Sequence, residues 1–151
     1  MASTITPQNL TVTISEQINL NNQPINSENQ LVIEDVNEFD KRIMSIPATS
    51  EVTIIAFASD VAAGTFVRGD MKYFRVTNKD NTTYARIRVK KNGADTFDIR
   101  LDAGKSFMMG NAKLNTSDSA VSFVTFEDAD SISGQSYGAS PVDIEYVVAS
   151  I

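Results

Sequence analysis

The chain has 151 residues, a formal net charge of −6, and neither histidine nor cysteine. The missing residue types exclude disulfides, thiolate nucleophiles and Cys-based zinc sites, and they remove the commonest general base and transition-metal ligand. The absence of these residue types argues against an enzyme, a cofactor and a metal site. The acidic surplus is opposite in sign to what phosphate binding requires, so it argues against a nucleic-acid partner.

The N-terminal part of the chain predicts two short strands separated by a loop. Residues 1–9 are polar and lack the basic and apolar regions of a signal peptide, so we expect a flexible or partner-contacting arm there. In residues 10–14 apolar side chains alternate with threonine, which predicts the first strand. Residues 19–30 are rich in amides and contain a proline, which is typical of a loop. A short second strand is predicted at 31–33.

The next segments carry more apolar residues. Residues 38–46 fit either a helical face, with Phe39, Ile43 and Ile46 on it, or an extended segment, and we prefer a strand at 41–46. The nearly continuous apolar run at 51–57 predicts a strand that is buried on both faces. Residues 59–70 contain two glycines and are predicted to be a connection, with a brief helical turn at 60–63 as an alternative.

Between Met71 and Met109 the chain repeats one pattern of an alternating segment followed by a break. Each break carries residues that tolerate positive φ, as tight hairpin turns require. The pattern predicts a central meander at 71–109. Its predicted strands are 71–77, 82–90, 96–101 and 107–109, with breaks at 78–81, 92–93 and 102–104.

Two more strands are predicted near the C-terminus, at 120–127 and 142–149, with a loop at 131–141 between them. The whole chain then has about nine short strands and turn signals roughly every 8–12 residues. This spacing predicts an all-β fold: an antiparallel, jelly-roll-like β-sandwich that forms a single domain over 1–151.

Two short motifs have a chemical and a structural interpretation. Gly104-Lys105-Ser106 resembles the end of a phosphate-binding loop, but Ile99 stands where the first glycine of that loop is required. We therefore interpret it as a hairpin turn. The carboxylates of 127–130 are hard oxygen ligands of the kind that calcium prefers, but their spacing is not that of an EF-hand. We prefer a solvated acidic turn.

The concentrated positive charge lies on the predicted strand 82–90. Strand alternation puts its basic side chains on one face and the small apolar ones on the other. In one interpretation this face is exposed and pairs with Asp98 on the adjacent strand. In the other it meets an acidic partner or a neighbouring subunit. The candidate contact residues are Arg86, Arg88 and Lys90, facing Glu127, Asp128 and Asp130 of a neighbour.

Several segments together resemble small virion structural proteins of tailed bacteriophages, particularly marine podophages. These segments are 4–14, 18–21, 41–47, 73–80 and 101–107. The resemblance implies a capsid decoration (cement) protein that binds the outer capsid surface, with the major capsid protein or other virion proteins as partners. It also implies assembly in the host cytoplasm and a final location in the virion. It carries no catalytic residues.

Other functions stay open. A tail or fibre-adaptor protein needs the same compact β module. A carbohydrate-binding module for host attachment would use an exposed aromatic, and Tyr137 lies in the predicted 131–141 loop. An enzyme with a carboxylate pair is the least favoured class. We expect a homo-oligomer, with a trimer favoured by closed symmetry on a capsid axis, and no membrane partner, because no run of about 18–20 apolar residues occurs.

Overall fold

The computed structural model describes residues 5–91, 96–114 and 126–151. This part of the chain is all-β and contains twelve strands and no helix. The strands are β1 (Gln8–Leu20), β2 (Gln23–Val36), β3 (Glu38–Ile46), β4 (Val52–Ala58), β5 (Phe66–Val67), β6 (Met71–Asn78), β7 (Ala85–Lys91), β8 (Thr96–Leu101), β9 (Ser106–Met109), β10 (Lys113–Leu114), β11 (Glu127–Ser136) and β12 (Val142–Ser150).

These strands form three sheets. β1 and β2 pair only with each other; the second sheet has the order β5-β4-β11-β7-β8 with β10 beside β11; and the third has the order β3-β12-β6-β9. All of these pairs are antiparallel except β4 with β5. The prediction of an all-β, mainly antiparallel fold is therefore confirmed.

The longer strands of the two larger sheets pair in a nested order. β3 pairs with β12, β4 with β11, β6 with β9, and β7 with β8. The predicted meander at 71–109 is wrong, because β6 and β7 lie in different sheets and only β7 and β8 form a hairpin. Alternation shows that one face of a strand is buried, but it does not say which strand lies beside it.

One core lies between the two larger sheets. Its fully buried side chains include Ile46, Phe74 and Ile144 from one sheet and Ile87 and Ile132 from the other. Burying each such side chain contributes about 1.5–3 kcal/mol, so these contacts hold the two sheets together. The strand predicted at 142–149 is confirmed as β12, whose alternate side chains point into this core.

The apolar run of β4 reaches the core through a β-bulge. Ile132 is opposite Ile55 and Ser133 is opposite Thr53, so Ile54 has no partner across the ladder. A bulge shifts the alternation of a strand, which is why Ile54 and Ile55 are both buried although they are adjacent.

Asn78 lies where the chain leaves β6 and crosses to the other large sheet, and its side chain is fully buried. Its Nδ2 donates to the carbonyl oxygens of Thr83 at 2.9 Å and Leu101 at 3.0 Å, while its Oδ1 accepts from Asp80 N at 2.9 Å. Main-chain hydrogen bonds of 2.9 and 3.1 Å join it to the turn at 104–105. One side chain thus connects the ends of β6 and β8 and the beginning of β7.

The predicted loop at 19–30 is wrong, because β1 and β2 continue through it as a long hairpin. Their turn is Asn21-Asn22, whose φ angles of 51° and 62° suit a two-residue type I′ turn. Both faces of this hairpin are exposed beyond its base, and its amide-rich sequence with a proline resembles a loop in composition.

The predicted loop at 131–141 is also wrong over its first half, and the predicted acidic turn at 128–130 is wrong. Both segments belong to β11, which lies between β4 and β7. Its small residues fit a crowded central position: a Cβ on Gly134 would lie 3.1 Å from Ile54 Cδ1 and 3.3 Å from Ile46 Cδ1. Serine and glycine serve close packing here, although they are also typical of loops.

The remaining predictions divide as follows. The strands at 10–14, 31–33, 41–46, 51–57 and 107–109 are confirmed within β1, β2, β3, β4 and β9, and the alternative helical turn at 60–63 is not formed. The turn at 92–93 and most of the strand at 120–127 lie outside the described residues.

We expect Asn78→Ala to lower the free energy of unfolding by about 2–4 kcal/mol, because it leaves buried carbonyl groups without donors. Urea denaturation measures this change. The matched control is Asn81→Ala, which alters an exposed residue of the same connection and should cost less than about 0.5 kcal/mol. Equal losses in the two variants would contradict the role assigned to Asn78.

Candidate functional site

Three surfaces of the described chain carry charged, aromatic or exposed apolar side chains that are not part of the core. The first is the charged face of β7. Ala85, Ile87 and Val89 are fully buried, so the alternation predicted for this strand is confirmed and Arg86 and Arg88 lie on its outer face.

Glu51, just before β4, is the centre of this charged face. Its carboxylate accepts hydrogen bonds from Arg86 Nη2 at 2.8 Å, Arg88 Nη1 at 3.0 Å and Ser133 Oγ at 2.6 Å, and Lys90 Nζ forms a further ion pair. Burial by itself raises the pKa of Glu51, but the hydrogen bonds from Lys90 and Ser133 and the nearby positive charges outweigh it, so the pKa lies below its usual value.

Asp98 on β8 completes this face. Arg88 Nε and Nη2 donate to its two carboxylate oxygens at 2.6 and 2.7 Å, a bidentate geometry that is among the stronger ion pairs in proteins. The hydrogen bond from Arg88 holds the pKa of Asp98 below its usual value, although partial burial opposes it. The predicted pairing of the β7 face with Asp98 is therefore confirmed.

The acidic candidates lie on β11 and also have partners within the chain. Glu127 pairs with Lys91 at 3.1 Å, Asp128 pairs with Lys113 at 2.8 Å, and Asp130 pairs with Arg68. The structure thus gives each of the six candidate contact residues an intramolecular ion pair. Their contact with a neighbouring subunit stays a prediction.

Glu51 was not among the residues that the sequence singled out. It precedes its strand as a lone carboxylate and lies 35 and 37 positions from the arginines that it binds. No local spacing rule identifies such a pair. The available signal was charge balance: a row of basic side chains on a strand with one buried face needs acidic neighbours from other strands.

Two motifs allowed a chemical interpretation from the sequence, namely Gly104-Lys105-Ser106 and the carboxylates of 127–130. In the structure both have structural roles. Gly104, with a φ of 71°, forms a turn in which Lys105 N donates to Asp102 O at 3.0 Å. This turn joins strands of different sheets, so it is not the hairpin that was predicted. Among the described residues, no group of three or more Asp or Glu side chains is placed to hold a metal ion.

The second surface is an aromatic groove, which we define by Tyr84, Arg100, Gln135 and Tyr137. The Tyr84 and Tyr137 rings stack with centroids 4.3 Å apart and planes 15° apart, and Arg100 Cζ lies 3.9 Å from the Tyr84 centroid. Partial burial and the neighbouring Tyr137 raise the pKa of Tyr84. Tyr137 is 63% exposed beside an open groove of about 480 Å³.

The third surface is the hairpin arm, which we define as β1 and β2. Its base is anchored: Leu10, Val12 and Ile33 pack against Tyr73 and Val147 on the outer face of the β3-β12-β6-β9 sheet. A second cluster of buried residues therefore holds the arm on the body, separate from the core between the sheets.

Beyond this base, one face of the arm is apolar and exposed. Side chains directly opposite each other across an antiparallel pair point to the same face, as Ile18 and Ile25 do. Ile18 is 51% exposed and Ile25 is 57% exposed. The other apolar residues of this face are Ile14, Leu20 and Leu31, each at least 41% exposed. The distal part of the arm, residues 13–30, extends about 27 Å, at roughly 3.4 Å per residue.

The arm is also uniformly acidic. It carries Glu16, Glu28, Glu34 and Asp35 and contains no lysine or arginine. A two-stranded hairpin of this kind is marginally stable in water by itself. An acidic hairpin with one exposed apolar face is therefore the surface of this molecule that is best suited to bind another protein.

Comparisons with known proteins add no family. No protein-family model matches the chain, and no curated protein and no solved structure is significantly similar to it. No helix in the described part of the chain is long and apolar enough to cross a membrane.

We expect Glu51→Gln to lower the free energy of unfolding at pH 7 by about 1–3 kcal/mol, because three basic side chains lose their shared carboxylate. The pKa of Glu51 is lowered by folding, so its contribution is present above the usual carboxyl pKa and is lost as the pH falls through the folded value. As the pH falls through and below the usual carboxyl pKa, the variant should therefore lose less stability than the wild type.

Urea denaturation at a series of pH values tests this expectation. The control is Glu34→Gln, which removes an exposed carboxylate of the arm and should preserve the stability at pH 7. A Glu51→Gln curve that runs parallel to the wild-type curve would contradict the role of Glu51.

Proposed function

We propose that this chain is a structural virion protein of the capsid-decoration type, built on a jelly-roll β-sandwich and without catalytic activity. The observation that carries the proposal is the arm: it is anchored on the body at its base, and its distal part exposes the apolar side chains of Ile18, Leu20 and Ile25 to solvent. Such a face is characteristic of proteins that assemble with others.

The nested strand order supports the fold part of this proposal. A jelly roll arises when a long antiparallel hairpin rolls up, so that its outermost strands pair, then the next, down to a central hairpin. The pairs β3–β12, β4–β11, β6–β9 and β7–β8 follow this order. Jelly-roll domains are frequent in capsid and lectin proteins. The resemblance to phage virion proteins points in the same direction.

We expect Ile18→Ser with Ile25→Ser to abolish attachment of the protein to virions, because this opposed pair supplies exposed apolar surface to the contact. The matched control replaces the adjacent pair, Gln17 and Asn26, with serine; these side chains lie on the other face of the same arm. Binding of purified protein to virions that lack it measures the effect, and far-ultraviolet circular dichroism checks the fold.

The number of copies per virion separates the decoration protein from the tail or fibre adaptor. A decoration protein occupies symmetric positions over the capsid and should be present in roughly hundreds of copies, whereas an adaptor should be present in about a dozen or fewer. Quantitative gel densitometry of purified virions gives this number. Absence of the protein from virions, or equal binding by the two arm variants, would contradict the proposal.

The aromatic groove favours a second candidate function, carbohydrate binding. Exposed tyrosine rings stack on the apolar face of a sugar ring, and the nearby Arg100 guanidinium offers donors to sugar hydroxyls. A lectin role and a decoration role are compatible on one protein, because the groove and the arm are formed by different strands.

We expect Tyr137→Ala to abolish glycan binding if the groove is a sugar site, since it removes the exposed ring and leaves the core unchanged. A glycan array measures this. The control is Val61→Ala, which truncates an exposed apolar side chain outside both the groove and the arm. An array without signal for the wild type, or equal signals for all three proteins, would rule out this second candidate.

A further inference from the structure

The outer face of β3 presents an exposed surface that is complementary to the arm. β3 is an edge strand, paired only with β12 within the described residues. Phe39, Lys41 and Ile43 alternate along it and point away from the core. Phe39 is 54% exposed and Ile43 is 65% exposed, and the Lys41 side chain between them is 57% exposed.

The arm carries the matching pattern. Ile14, Glu16 and Ile18 alternate along β1 and lie on the apolar face of the arm. The two triplets have the same spacing, with an apolar residue on each side of a charge, and the central charges are opposite. Because the charge is central in both triplets, the match holds whichever way the strands run relative to each other.

The two central charges are available for this contact. Glu16 forms no ion pair with any residue of the described ranges. Lys41 Nζ is 3.7 Å from Glu145 Oε2, which is longer than a normal hydrogen bond, and Glu145 is already bound by Arg75 Nη2 at 2.6 Å. Lys41 is therefore held only weakly in the single chain.

The position of the arm on its own body shows that this sheet face accepts it. The base of the arm packs on Tyr73, Val147 and Ala149, which lie on the same outer face as the β3 triplet. The arm then passes Met108 on β9, at the opposite edge of the sheet from β3. Its distal part therefore leaves its own sheet on one side, while β3 remains uncovered on the other.

We propose that the distal arm of one copy binds the outer face of β3 in a second copy of this chain, with Ile14, Glu16 and Ile18 against Phe39, Lys41 and Ile43. The contact is head to tail, so successive copies close into a ring when their rotation permits. This inference deepens the proposed assembly function and rests on it, by naming the partner of the arm.

A charge-reversal series on the purified full chain tests the contact. The wild type should be oligomeric by sedimentation velocity. Glu16→Lys and Lys41→Glu should each weaken self-association by about tenfold or more, because each places like charges opposite one another, and the double variant should restore most of the affinity. Glu28→Lys is the matched control: it makes the same change on the other face of the arm and should leave the association unchanged.

A cross-link supplies an independent readout, because the natural chain has no cysteine. Glu16→Cys combined with Lys41→Cys should give disulfide-linked oligomers on a non-reducing gel, and either substitution alone should give no such ladder. Glu16 is exposed on the arm, so its replacement leaves the core of the body unchanged and failure to fold is not an alternative explanation.

A wild type that is monomeric at tens of micromolar, or a double variant as weak as the single variants, would overturn the contact between copies. A monomer that nevertheless occurs on virions would overturn this contact alone and leave the proposed function in place. An oligomer that shows charge rescue but is absent from virions would support the contact and overturn the proposed function.

Discussion

The buried amide of Asn78 is the interaction on which the arrangement of the body depends. A buried amide without partners is costly, so its hydrogen bonds to Thr83, Leu101 and Asp80 require the ends of β6 and β8 and the start of β7 to stay together. This is where the chain crosses between the two large sheets. The crossing fixes the start of β7, and with it Tyr84 of the aromatic groove and Arg86 of the charged face.

The basic side chains of β7 are paired within the body, whereas the arm leaves its apolar side chains exposed. Glu51 binds the basic side chains of β7, and Asp98 binds Arg88 in a bidentate geometry, so this charged face is stable without a second chain. The distal arm has no such internal compensation, and about half of each of Ile18 and Ile25 faces water. For the association proposed above, the driving force is therefore the burial of the exposed apolar side chains of the arm.

The sequence predicts strands well where one face is buried, because burial imposes alternation, as on β7 and β12. It fails for 19–30, where amides and a proline in an exposed hairpin resemble a loop, and for 131–136, where a crowded strand needs Ser133 and Gly134 for close packing. The mistaken meander at 71–109 has a different cause, since strand partners are set by contacts far apart in the sequence. The same distance hides Glu51 from its arginines, so the charged face was found but its central carboxylate was missed.

Hydrogen exchange, compared between the free and the assembled protein, tests most directly whether the arm or the charged face forms the contact between copies. In the free protein, the amides of the distal arm should exchange fast because an isolated hairpin opens readily, whereas those of β7 should exchange slowly. On assembly, we expect protection to rise in residues 13–30 and along β3, with no change in β7. Increased protection on the outer edge of the β7–β8 hairpin, with an arm that exchanges as fast as before, would contradict the account.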